Sequence, residues 1–216
     1  MTDQVGVYNL CLGRLGVGQA IGSPTENSVP AKTCNRFYDQ CRQEVLRAFP
    51  WGFATKAEPL AQVVGQTFPG WTYVYQYPNQ CLNMRAVGDE YGMRRTYSQW
   101  LSRDPCFWTT LQQVRQPWQK ALKADGASQV LLSDIQTAWG FFTVDVTNTG
   151  AWDVDFASAV ADRLAMEVGG PLQAKVELVT AATQRYGIWL SQAAAAAMNE
   201  QKDDAVAESP SITCRY

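Results

Sequence analysis

Within the stretch VLRAFPWGFATKAEPLA, residues 45–61, the chain changes its hydrophobic period, and any fold must accommodate that change. Upstream, residues 30–48 place Cys34, Phe37, Tyr38, Cys41, Val45, Leu46 and Phe49 at spacings of three and four, the pattern of a helix with one apolar face. Pro30 suits the first turn, and Asp39, Arg42, Glu44 and Arg47 fall on its wetter side. Pro50 ends the helix, because it has no amide hydrogen to donate and its ring pushes Phe49 out of the helical region. Beyond it Trp51 and Phe53 surround a glycine, and no clear helical period returns until after Asn148. Pro50, Trp51 and Phe53 are therefore expected to form a structural joint, with the two aromatics packed under the closing helices.

Ahead of this helix, QVGVYNLCLGRL (4–15) puts Val7, Leu10 and Cys11 on one helical face before a glycine-rich GVGQAIGSP. GRLGVG has the look of a phosphate loop, but no strand precedes it and no GK[ST] follows, so it reads as a helix C-cap and turn.

Residues 51–148 change character. GWTYVYQYP alternates Trp71, Tyr73, Tyr75 and Tyr77 against Thr72, Val74 and Gln76, a strand with its aromatics on one face. CLNMRAVGDEYGMRRTYSQW reads as strands around Gly88 and Gly92, and QVLLSDIQTAWGFFTVDV as two more with a turn between them. DPCFWTTLQQVRQPWQKAL stays ambiguous, since Phe107, Leu111 and Val114 fit a helical face while Pro105 and Pro117 bracket it.

Helix resumes after Asn148. Asp153 or Asp155 can cap a run in which Phe156, Val160, Leu164 and Val168 share a face, and GGP (169–171) is a sharp stop. Leu172, Val176, Val179, Thr183, Tyr186 and Trp189 or Leu190 then carry a second helix to about residue 202, giving an αα-hairpin. The expected fold is α+β: mainly a helical bundle (1–50 and 149–202), with a β-rich insertion (51–148) and an extended, polar C-terminal arm (203–216).

The chain has 216 residues and no histidine, which removes the commonest general base near neutral pH and every Ser-His or Cys-His nucleophile pair. Its six cysteines are scattered without a CxxC pair, so no metal or other cofactor is expected. A formal charge of -2 and no basic run longer than Arg94–Arg95 lack the electrostatic footprint of a duplex-binding protein. No apolar run reaches the roughly 20 residues of a membrane span, and the first residues do not resemble a secretory signal, so synthesis in a cytoplasm is expected. A chain without enzymatic activity is the leading expectation. Two alternatives stand beside it: a glycan hydrolase using carboxylate pairs such as Asp89 with Glu90 or Asp153 with Asp155, and a small binding module with the strand from Trp71 to Tyr77 lining a pocket.

Four stretches in collinear order, YNLCLGRLGVGQAIGSPTEN, FYDQCRQEVLRAFPWGFATKAEPLA, GWTYVYQYPNQCLNMRAV and DFASAVADRLAMEVGGPLQAKVELVTAATQRYGIWLSQAAAAAMNEQ, give the chain a resemblance to a known family. It resembles the head-to-tail adaptor proteins of short-tailed bacteriophages, the tail tubular protein A-like or head-completion proteins. The match is weakest over residues 90–135 and in the last dozen residues. The resemblance implies a structural virion protein at the head-tail junction, made in the bacterial host, whose copies form a ring, usually dodecameric, beneath the portal protein. Tail or nozzle proteins would dock on that ring, and DNA would pass through without specific binding. Asp39, Arg42, Glu44 and Arg47 are the candidate ring contacts under that reading, and Ile212, Arg215 and Tyr216 the candidate anchors of the arm on the portal or a neighbour. Arg94, Arg95, Tyr97 and Trp100 are the candidates for the tail or nozzle side.

Overall fold

The computed structural model describes residues 3–90, 117–123 and 125–199. Their order is two helices, α1 (Gln4–Arg14) and α2 (Val29–Ala48), then six strands, then two helices, α3 (Val154–Val168) and α4 (Val176–Asn199). The strands are β1 (Thr55–Pro59), β2 (Tyr73–Gln76), β3 (Cys81–Gly88), β4 (Trp118–Leu122), β5 (Gln129–Ser133) and β6 (Trp139–Val144). The fold is thus mixed α+β, and the expectation of a mainly helical bundle is corrected: two three-stranded antiparallel sheets, β1-β6-β3 and β2-β5-β4, stand beside the helices with a core of their own.

The ends of α1 and the start and stop of α2 follow from local chemistry. Asp3 caps α1 by accepting from the Gly6 amide at 2.7 Å. At its other end Val17 N donates to Leu12 O (3.0 Å) and Gly16 N to Gly13 O (3.2 Å), with Gly16 at φ 71°, a Schellman closure. The glycine run after α1 is therefore a helix terminator. Asn9 then holds the returning loop, its amide exchanging two hydrogen bonds with the backbone of Ile21 at 2.8 and 3.0 Å. Ser28 caps α2, Pro30 lies in its first turn, and Phe49 leaves the helix with extended φ and ψ ahead of Pro50.

The helical core centres on α3, which packs against α1, α2 and α4. Phe156, Val160, Leu164 and Val168 are buried, and so are Ala157, Ala159, Ala161 and Ala165, so this helix is apolar nearly all the way round. On α1 the buried face is Val7, Tyr8, Cys11 and Leu12, while Leu10, expected inside, is exposed. On α4 the inward side is built from Val179, Ala182, Tyr186, Trp189, Leu190 and Ala193. Val176 (78% exposed) and Thr183, also expected on that face, point outward. The α3–α4 turn is tight: a Cβ on Gly169 would lie 2.5 Å from Val179 Cγ2 and 3.0 Å from Ala165 O.

The two sheets share a core in which Met84 and Phe142 from one meet Tyr75 and Leu131 from the other. Within β2, Tyr73 and Tyr75 face this core, as does Tyr77 just beyond it; Val74 faces the opposite side, which the 61–72 segment covers with Val63, Phe68 and Trp71. Trp71 thus departs from the expected single aromatic face, because the strand starts only at Tyr73. The two strands expected in QVLLSDIQTAWGFFTVDV exist but belong to different sheets: β5 pairs with β2 and β4, and β6 with β1 and β3. Of the ambiguous stretch, Trp118–Leu122 is strand β4, hairpinned to β5 around Asp125 and Gly126, whose φ is 72°. Asp125 Oδ1 accepts from the amides of Ala127 and Ser128 there.

Trp51 is buried at the joint. Its ring lies edge-on to Phe49 (5.2 Å) and Phe156 (5.0 Å), Phe53 meets Phe156 at 5.0 Å, and its indole Nε1 donates to Val45 O at 2.9 Å. Trp51→Ala is expected to cost about 3–5 kcal/mol, read as a lower denaturant midpoint at unchanged slope. Gly169→Ala should cost about 1–3 kcal/mol because its Cβ would press on Val179 and the Ala165 carbonyl, and Val179→Ala in the same chain should recover part of that loss in the same assay.

Candidate functional site

Charged side chains inside the molecule are spent on holding elements together. Asp162, in the middle of α3, is 0% exposed and accepts from three directions. Arg14 of α1 reaches Oδ2 at 2.8 Å, Trp189 of α4 donates its indole N–H to Oδ2 at 2.9 Å, and Arg185 of α4 lies 3.1 Å from Oδ1 through both Nε and Nη2. Arg14 also donates to Ser158 O at 2.9 Å. Burial pushes the pKa of Arg14 down, against the pull of Asp162. A fully buried acid must be neutralised in place, and α1 and α4 supply the cations.

The second cluster joins α2 to the strands. Arg42 is 2% exposed, a correction to its expected place on the wetter side of α2. Its guanidinium forms a two-pronged pair with Asp145 just past β6, donates to Val146 O at 3.3 Å, and touches Asp39 at 3.4 Å. Burial lowers the Arg42 pKa, but Asp145 outweighs it and the net shift is upward. Gln43 adds a 3.1 Å bond to the same carboxylate. The third link is Arg85 of β3, which donates to the last carbonyls of α2, Leu46 O (3.4 Å) and Arg47 O (2.8 Å), and to Thr143 Oγ1 at 3.1 Å. A cation there complements the negative end of the helix dipole.

The remaining candidate contacts divide by this geometry. Glu44 is tied to Arg163 of α3 at 2.6 and 2.8 Å. Its pKa is lowered, first by a hydrogen bond from Gln40 and then by Arg163. Asp39 and Arg47 keep exposed side chains on α2. Arg94, Arg95, Tyr97, Trp100, Ile212, Arg215 and Tyr216 lie outside the described residues. Asp89 and Glu90 are exposed at the end of β3; Asp153 is exposed at the start of α3, and Asp155 is half-buried in its first turn.

Two open clefts accompany these surfaces. One, about 370 Å³, is lined by Lys56, Glu58, Gln76, Tyr77, Asn79 and Gln80 where β1 and β2 end. The other, about 500 Å³ and mostly apolar, lies along the start of α4 between Gly169, Ala174, Val176, Val179 and Thr183. Among the described residues no group of three His, Cys, Asp or Glu side chains is placed to hold a metal, and no helix is long and apolar enough to cross a membrane. Cys11, Cys34 and Cys41 are buried free thiols. Cys41 is pushed up to about 12 by burial, away from thiolate chemistry.

The sequence reading overlooked Asp162, Arg14, Arg85, Asp145, Arg185 and Trp189 as linking residues. For Asp162 a signal existed: three of its four helical neighbours at spacings of three and four, Ala159, Ala165 and Met166, are apolar, so its acid stands on an inward face and needs a partner. No signal marked Arg85 or Asp145, whose partners are distant in sequence.

No protein-family model matches the chain, and the comparison with curated proteins finds no match. Asp162→Asn strips the countercharge from two part-buried guanidiniums and is expected to cost about 3–5 kcal/mol. Chemical denaturation with the α1 and α4 signals followed separately should show both helices loosening; a loss below about 1 kcal/mol would mean that water already screens the cluster.

Proposed function

We propose that the chain is a structural head-to-tail adaptor: a subunit that forms a ring under the portal of a short-tailed bacteriophage, continues the DNA channel, and offers a platform to tail or nozzle proteins. The observation that carries this reading is the collinear order of the four sequence stretches that resemble the adaptor family, which run through α1, α2, the joint, β2–β3 and the α3–α4 hairpin. The geometry adds support of a general kind. A ring subunit has to hold a fixed angle between its parts, since heterologous contacts close a ring only at one rotation. The Arg42–Asp145 pair and Arg85 brace the helices against the sheets, and Thr55 at the start of β1 donates to the carbonyl of the buried Trp51 at 2.7 Å. The outward side of α4, with Val176 and Ile188 exposed beside an apolar cleft, is a surface of the sort that contacts use. Interior charge is committed to these braces, which suits a scaffold without chemistry of its own.

The test is native mass spectrometry of the protein with and without the portal ring encoded beside it. Binding in a number of copies that matches the portal's symmetry is the expected result; a monomer that ignores the portal overturns the reading. Arg47→Glu changes an exposed α2 charge that takes no part in the Asp145 and Arg163 ties, so a fall in copies bound with an unchanged Tm is the result expected if α2 makes the ring contact.

A further inference from the structure

Around Asp162 the described charges do not balance. One fully buried carboxylate meets two guanidiniums, those of Arg14 at 2.8 Å and Arg185 at 3.1 Å, so the cluster carries one surplus positive charge. The other described neighbours of Arg14 are uncharged: Ser158 O at 2.9 Å and the ring of Trp189, 6.0 Å from the guanidinium carbon. Both of its polar contacts run through Nη1, which leaves Nε and Nη2 without a described partner. Arg185 bonds Asp162 through Nε; its Nη2 is buried, close to the same oxygen but out of line for a hydrogen bond, and makes none.

The two side chains are neither fully buried nor free in water, at 16% exposed for Arg14 and 35% for Arg185. Burial lowers the pKa of Arg14, and Arg185 adds to that downward pressure. Half-desolvated like charges held together cost stability unless a second anion joins them. Guanidinium groups present paired donors in a plane, the arrangement that suits an anion with two or more oxygens.

We propose that Arg14 and Arg185 form a site for one further oxyanion, a phosphate or a carboxylate, at the α1–α4 junction, held by the donors not spent on Asp162. The site is independent of the adaptor reading, because it follows from the described charges around Asp162. Its anion comes either from free phosphate or from an acidic side chain on another protein, and the two sources differ in which probe engages.

The experiment titrates the full-length protein with sodium phosphate and, separately, sodium acetate at ionic strength matched by sodium chloride. It reads the arginine Nε–H signals by NMR and the melting temperature. Saturable shifts of the Arg14 and Arg185 signals are expected, with a rise in Tm of about 2–4 °C once the anion is several-fold above its Kd. Arg185→Gln, which leaves Arg14 and Trp189 on Asp162, should abolish the rise. Engagement of phosphate alone supports the site and assigns it to free phosphate; engagement of both probes supports it and admits an acidic side chain. The proposal is overturned if neither probe moves these signals more than chloride does, or if Arg185→Gln keeps the full rise. Should that variant fold poorly, the titration of the unaltered protein still decides.

Discussion

The structure depends on α3 being buried on nearly every side. A helix in that position needs small residues where partners approach closely and large ones where they stand off, and α3 alternates Ala157, Ala159, Ala161 and Ala165 with Phe156, Val160 and Leu164. Once α3 is enclosed, its one fully buried acid has no water to turn to. Asp162 recruits Arg14 and Arg185 from flanking helices, and the desolvation that makes it expensive also makes its bonds directional. The carboxylate, the two guanidiniums and the Trp189 N–H fix one register.

The sheets are a second core, and a second core needs its own reason to keep still relative to the first. Three braces of different chemistry provide it, and each fails under different conditions. The aromatic set around Trp51 is insensitive to salt and weakens with the hydrophobic effect. The Arg42–Asp145 pair is electrostatic but shielded, since Arg42 is buried, so added salt screens it less than it screens the exposed Lys56–Glu58 pair. Arg85 depends on the α2 carbonyls and therefore on α2 remaining helical to its last turn.

Much of this was legible in the residues. The four helices among the described residues and the break at Pro50 follow from periodicity and backbone chemistry, which act over a few residues and leave a local imprint, while the Asp3 and Ser28 caps went unread and Asp153 stands at the start of α3 without a side-chain capping hydrogen bond. The allocation of strands to sheets was not legible. QVLLSDIQTAWGFFTVDV reads as neighbouring strands, yet β5 and β6 part company, because pairing is decided by partners up to about 90 residues away: Thr55 for Thr143, Trp118 for Ser133. The Asp125–Gly126 turn was a local signal that went unread; the last residues before it, Trp118–Leu122, are its hairpin strand. Arg42 shows the opposite failure. Its charge suggested solvent, and only the return of the chain at Asp145, 103 residues later, supplies the partner that makes burial tolerable.

The same reasoning separates two kinds of charged residue on α2 that the sequence presents alike. Arg42 and Glu44 face partners on other elements, Asp145 and Arg163, and reversing either charge disturbs the subunit before it disturbs any neighbour. Asp39 and Arg47 expose their side chains, and neither is required for those two ties. For Arg47 the internal duty belongs to its carbonyl, which accepts from Arg85, so its side chain is replaceable without loss of the brace. A contact between copies, if it uses α2, therefore has two residues to work with where the sequence offered four.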